Sequence, residues 1–172
     1  MIENVIVTHL ERALSRNWLR TNKINHRISI VGSTDILFVL AHQERYHIPS
    51  RMFVFDDVTQ EYEDSTIVCP TEKDIQDILA YLKMLTEAAG KINLVIHCHA
   101  GISRSTAVAA MLFRMMYGDD QKAIEKLFEI RSCAHPNGLM LHYADKLMNW
   151  NLLKVLGSQA RYDKPINTAW GG

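Results

Sequence analysis

A short polar loop lies between two segments that both have to be buried, and this restricts the chain more than any other feature. Residues 92–96 are dominated by Ile, Leu and Val and suit a strand covered on both faces. Residues 106–117 read as a helix with Ala107, Val108, Ala110, Met111, Leu112 and Met115 on nearly every side, the pattern of a helix in the middle of a domain. Between them runs His97-Cys98-His99-Ala100-Gly101-Ile102-Ser103-Arg104-Ser105. A buried strand feeding a buried helix requires layers on both sides, which predicts an α/β fold.

The remaining sequence fits that expectation. Residues 5–7, 27–31 and 51–55 are rich in β-branched or aromatic residues and read as strands, the second ending at Gly32 and the third running into Asp56-Asp57. Residues 36–40 are apolar and fit either a short helix or a strand. After a polar stretch to Pro70, Thr71 with Asp74 three residues on marks a helix start. Ile75, Ile78, Leu79, Leu82 and Leu85 then follow at helical spacing, and Gly90 closes the element. Asp119 or Asp120 caps the next helix, and a last helix is expected over 139–156, stopping at Gly157. The expected architecture is one α/β domain over residues 1–157, a central mixed sheet flanked by helices with the 97–105 loop at its edge. Residues 158–172 are expected to be a flexible tail.

Bulk properties narrow the class. The 172 residues are 48% hydrophobic, enough for one cored domain. Nineteen basic residues balance nineteen acidic ones, so no charge surplus points to nucleic acid or an anionic membrane. No apolar run is long enough to span a bilayer, and the N-terminus lacks the basic head and apolar run of a secretory signal. Cys69, Cys98 and Cys133 are too few and too scattered for a disulfide framework, which suggests a reduced, cytoplasmic protein.

The 97–105 loop carries the chemistry. A loop that leaves a strand and enters a helix can turn its amide N–H groups inward at the positive end of the helix, making a nest for a phosphate dianion. Residues His99, Ala100, Gly101, Ile102, Ser103, Arg104 and Ser105 would line that nest, with Gly101 relieving the tightest part. Amides, helix end and guanidinium together favour the anionic form of Cys98, and a thiolate is a strong nucleophile toward phosphorus. Arg104 can present two parallel donors to two phosphate oxygens. The Ser105 hydroxyl can donate to the sulfur and help it leave. His97, at the end of a buried strand, reads as an orienting hydrogen-bonder, and His99 as exposed or substrate-facing. Adjacent residues of an extended chain alternate direction, so His97, Cys98 and His99 are not expected to chelate one metal ion. Asn137 reads as a helix N-cap.

The segment His97 to Ser105 resembles the signature loop of the protein tyrosine phosphatase superfamily, His-Cys-x5-Arg-Ser/Thr, and its inner residues resemble the dual-specificity branch. Phe55-Asp56-Asp57-Val58, Pro70-Thr71 and Pro136-Asn137 are similar to compact bacterial members. The resemblance implies a phosphocysteine on Cys98, its hydrolysis by water, no metal or other cofactor, and a phosphorylated protein as substrate. It also implies an aspartate general acid upstream of the cysteine. Asp56 and Asp57 are the candidates, with Asp57 preferred because strand alternation puts it on the face of Phe53 and Phe55; Asp64 lies deeper in the loop. A polar residue near Asn137 can help place the hydrolytic water in that family. Three readings stay open beside this one: a phosphoinositide or RNA 5′-phosphatase, a phosphate-binding adaptor without catalysis, and a sulfur-transfer or arsenate-reducing enzyme. Residues 99–103 carry no lysine of the kind lipid-directed members use.

Overall fold

The computed structural model describes residues 1–45, 47–63 and 66–159. Asp64 and most of the segment read as a tail, from residue 160 on, lie outside the described residues. The chain runs β1 (Ile2–Thr8), α1 (Leu10–Leu14), α2 (Arg16–Thr21), β2 (His26–Val31), a single 3-10 turn (Ser33–Asp35) and α3 (Ile36–Arg45). It continues through β3 (Ser50–Val54), α4 (Glu72–Glu87), β4 (Ile92–His97), α5 (Arg104–Tyr117), α6 (Asp120–Ile130), α7 (Gly138–Met148) and α8 (Leu152–Gly157).

The four strands form one sheet in the order β1-β4-β2-β3. All pairings among the described residues are parallel, where the sequence reading expects a mixed sheet. The cause is the connections: each strand reaches the next only through at least one helix, and a helical crossover returns the chain in the same direction. Strand alternation then divides the core in two. Val7, Ile28, Ile30, Phe53, Leu94 and Ile96 face a large cluster shared with α4 to α8. Ile6, Val31, Val54 and Val95 face two smaller clusters beneath α1 to α3. The result is helices on both sides of the sheet, as the α/β expectation requires.

Helix ends follow local chemistry. Thr71 and Asp74 form a reciprocal capping box at α4, whose buried side is Ile75, Ile78, Leu79, Leu82 and Leu85. Asp119 caps α6 and Asn137 caps α7. The single helix expected over 139–156 is two helices. Asn149 adopts a left-handed conformation (φ 55°) that ends α7. The Asp145 carboxylate then accepts from the Leu152 and Leu153 amides, starting α8. The ambiguous run 36–40 is the start of α3.

Parallel strands put all their C-terminal ends at one edge. Thr8 and Ser29 both pair with His97, and Val31 pairs with Val54. The segments that follow these strands, at residues 9, 32–35, 55–58 and 98–103, therefore meet at the carboxyl edge, where ligands of open parallel sheets bind.

Candidate active site

The 98–103 loop leaves β4 at its carboxyl end and enters α5, whose residues 104–113 are buried. Its backbone can be accounted for carbonyl by carbonyl. His99 O accepts from Leu10 N at 3.0 Å. Arg131, from the α6–α7 connection, donates Nε to Gly101 O (2.9 Å) and Nη2 to Ala100 O (3.5 Å). Ile102 O accepts from His135 N (2.9 Å) and from the Thr106 hydroxyl. Ser103 O accepts from Asn137 N (3.3 Å) and Thr106 Oγ1 (2.8 Å). Cys98 O accepts from His97 Nδ1 at 3.3 Å. Every carbonyl from Cys98 to Ser103 is thus held by the surrounding framework. In a planar trans peptide the N–H points opposite to the C=O, so each tethered carbonyl directs the amide after it, over residues 99–104, away from its anchor. One of them, Gly101 N, donates to Cys98 Sγ at 3.3 Å. No side chain caps α5 at Ser103, so the positive helix end faces the same space.

Gly101 is required at this turn. Its φ is +70°, and a Cβ there would overlap the Thr8 carbonyl and stand 2.7 Å from His9 N. Gly32 serves a related purpose: a Cβ would sit 2.7 Å from Asp56 Oδ1 and 3.8 Å from Arg104 Nη1.

Cys98 is buried, with Sγ 3.2 Å from Ser105 Oγ. The Arg104 side chain is buried as well (6% exposed). Its Nη1 donates to Phe55 O at 2.8 Å, while its buried Nε has no hydrogen-bond partner and lies 3.8 Å from Asp57 Oδ2. A desolvated guanidinium donor without an acceptor is costly unless a ligand supplies one.

The two candidate acids have different surroundings. Asp56 fastens the 56–68 loop: its N donates to Val68 O (2.7 Å) and its Oδ2 accepts from Val68 N (2.9 Å). Asp57 faces the 98–103 loop, with Oδ1 accepting from Ser103 Oγ (2.6 Å) and Asn137 Nδ2 (2.9 Å). The same Asn137 amide nitrogen also donates to Val58 O (2.9 Å), so this residue both caps α7 and holds the Asp57 segment. His99 is exposed and pairs with Asp35 Oδ2 at 3.1 Å.

His97 is buried beneath the loop, hydrogen-bonded through Nε2 to Ser29 Oγ at 2.7 Å. Burial first, and then the charges of Arg27 and Arg104, bring its pKa from the ordinary 6.5 down to about 4, against a partial upward pull from the Cys98 carbonyl. The neutral ring donates Nδ1–H to that carbonyl and accepts the Ser29 hydroxyl at Nε2. Because the unfolded chain binds this proton more tightly, stability is full above pH 6.5 and falls as pH drops toward about 4, by on the order of 3 kcal/mol. Denaturant titrations of the wild type and His97→Asn across that window check this. The gap between them should narrow as the pH falls, and parallel curves would refute it.

The sequence reading brought Cys98, Arg104, Ser105, Asp57 and Asn137 to one place on the strength of one loop and two flanking signals. It did not find Arg131, Asp35, Gly32 or the Thr8–His9 strand end as parts of the site. These come from separate strand ends and connections, and no local pattern marks them. Among the described residues no three His, Cys, Asp or Glu side chains converge as metal ligands would.

No family model matches the sequence, and no curated protein does. Solved structures do. The PTP-2 phosphatase of Cydia pomonella superposes with a TM-score of 0.64 at 18% identity, over 82% of this chain and 83% of its own. DUSP15 gives 0.60 at 20% identity, over 88% and 87%. PTPMT1 in complex with PI(5)P gives 0.59 at 16% identity, over 83% and 88%. The chain has the fold of the cysteine-based tyrosine and dual-specificity phosphatases.

Proposed function

We propose that this chain hydrolyses phosphate monoesters, with phosphotyrosine on proteins as its main substrate, through a phosphocysteine on Cys98. The observation that supports the reading is that every carbonyl from Cys98 to Ser103 is tethered while the Gly101 amide donates to Cys98 Sγ at 3.3 Å, the pattern expected of a loop whose amides face the sulfur. A phosphate dianion is the ligand whose three equatorial oxygens match such a loop plus one guanidinium.

In the first step the Cys98 thiolate forms an S–P bond as the ester P–O bond breaks. Arg104 and the loop amides carry the charge on the equatorial oxygens, and the geometry is set before substrate arrives. The Asp57 proton goes to the departing phenolic oxygen. Asp57 Oδ1 is engaged by Ser103 and Asn137, so Oδ2 is the oxygen that carries this proton. In the second step water forms a new P–O bond, its proton goes to Asp57, and the S–P bond breaks to release phosphate. The Ser105 hydroxyl, 3.2 Å from Sγ, steadies the departing thiolate. A reducing cytoplasm would keep Cys98 in the free state this chemistry needs.

Turnover of para-nitrophenyl phosphate in the presence of a metal chelator tests the reaction class; no turnover would refute it. A panel of phosphotyrosyl, phosphoseryl and phosphothreonyl peptides beside phosphoinositides tests the substrate. The PI(5)P held by PTPMT1 makes a phosphoinositide the second reading, and preferential lipid hydrolysis would establish it over the first. For the acid, Asp57→Ala should lower kcat on phenyl phosphate by about 10²–10³. Asp56→Ala should act mainly by loosening the 56–68 loop. Collapse of the rate with the Asp56 change alone would reverse the assignment.

A further inference from the structure

The helix next to the phosphate loop has an exposed apolar face. Leu37 is 81% exposed, Phe38 48% and Leu40 40%, and with Ala41 they form one continuous strip on α3. The opposite side of the helix is anchored, with Val39 and Ile36 packed on Leu10, Leu14 and Val31. The strip is also ordered from within: the His42 ring lies 4.4 Å from the Phe38 ring and is hydrogen-bonded through Nδ1 to Phe38 O. Its first turn follows directly on Asp35, which pairs with His99 of the phosphate loop at 3.1 Å. The apolar strip therefore starts two residues from a side chain that touches the 98–103 loop.

We propose that this face of α3 is a docking surface for the polypeptide flanking the phosphorylated residue, and that it selects substrates with apolar side chains beside the phosphotyrosine. The proposal rests on the phosphatase reading above. A phosphorylated side chain seated in the loop brings its own main chain over the rim, and that chain must lie against whatever the rim offers. Two other occupants fit less well. The sequence of α3 holds one basic residue, Arg45 at its last position next to Glu44, whereas helices that lie on anionic bilayers pair their apolar face with several basic side chains. The strip exposes roughly 300 Å², within the range of functional patches on monomers. It falls well short of the roughly 800 Å² per partner that a stable dimer needs.

The test compares wild type with a Leu37→Ser, Phe38→Ser double variant on three substrates. These are para-nitrophenyl phosphate, a phosphotyrosyl peptide flanked by leucine and valine, and the same peptide flanked by glycine and serine. A small aryl phosphate does not reach α3, so its kcat/KM should stay within about twofold. For the apolar peptide KM should rise about tenfold at unchanged kcat, the signature of lost uniform binding. For the glycine–serine peptide little should change. Equal kinetics of the two proteins on the apolar peptide would overturn the proposal. The same two proteins compared on a phosphoinositide in phosphatidylcholine vesicles, and by size-exclusion chromatography, give two further refuting outcomes: a loss confined to the lipid, or a change in oligomeric state with no change in peptide KM. Failure of the phosphatase reading itself would show differently, as absence of para-nitrophenyl phosphate turnover by the wild type.

Discussion

Replacing Cys98 with serine is expected to lower turnover of para-nitrophenyl phosphate by about 10⁴-fold or more while leaving phosphate binding in place. The reason lies in what surrounds the sulfur. Its neighbours are the Ser105 hydroxyl and the Gly101 amide, and neither can take a proton from a nucleophile. The neighbouring imidazoles are engaged elsewhere, His97 with Ser29 and the Cys98 carbonyl and His99 with Asp35. On the proposed reading the attacking side chain must therefore supply its own anion. A thiol ionises far more readily than an alcohol, so serine cannot take over that role. The amides and Arg104 are unchanged in the variant, so calorimetric titration with a phosphotyrosyl peptide should still report binding. Turnover within tenfold of wild type would show that some other group attacks phosphorus.

How much of this was legible beforehand depended on whether a feature is contiguous in sequence. Cys98, Gly101, Arg104 and Ser105 lie in one loop between a strand and a helix that are both buried, so spacing and context sufficed. The caps at Thr71 and Asn137 were readable, and that of α6 narrowed to Asp119 or Asp120, because capping is a four-residue pattern. What was missed depends on the fold. Arg131 reaches Gly101 from thirty residues away, and Asp35 reaches His99 from sixty-four. Nothing near either residue signals those partners. The direction of the strands is a property of the crossovers, not of any strand's side chains, so a parallel sheet could not be read from alternation alone. Helices α1 and α2, at five and six residues, are shorter than the window in which helical periodicity shows. The last helix looked continuous because apolar spacing carries on through Leu152 and Leu156. The break is made by a left-handed backbone at Asn149 and by a carboxylate at Asp145.

Arg104→Lys is expected to reduce kcat/KM by on the order of 10³, although the charge is kept. The guanidinium here has two separate duties. Its Nη1 is anchored to the Phe55 carbonyl at 2.8 Å, which fixes the plane of the group, and its Nε is buried with no acceptor. An ammonium can satisfy the anchor or reach the ligand, but has no rigid fork with which to do both. On the proposed reading substrate supplies the missing acceptor, so the contact should strengthen as charge builds on the phosphoryl oxygens and appear in kcat as well as KM. A stability measurement separates this from simple loss of structure. Arg104→Met removes a desolvated cation whose nearest carboxylate, on Asp57, is 3.8 Å away. In phosphate-free buffer that variant loses a desolvated cation but also the bond to the Phe55 carbonyl, two opposing effects of about 1–3 kcal/mol each, so it should stay folded with a thermal midpoint near that of the wild type. Phosphate or vanadate should raise the thermal midpoint of the wild type and leave that of Arg104→Met where it was. A lysine variant within tenfold of wild-type activity, or a methionine variant still stabilised by vanadate, would mean that the loop amides bind the anion without help from residue 104.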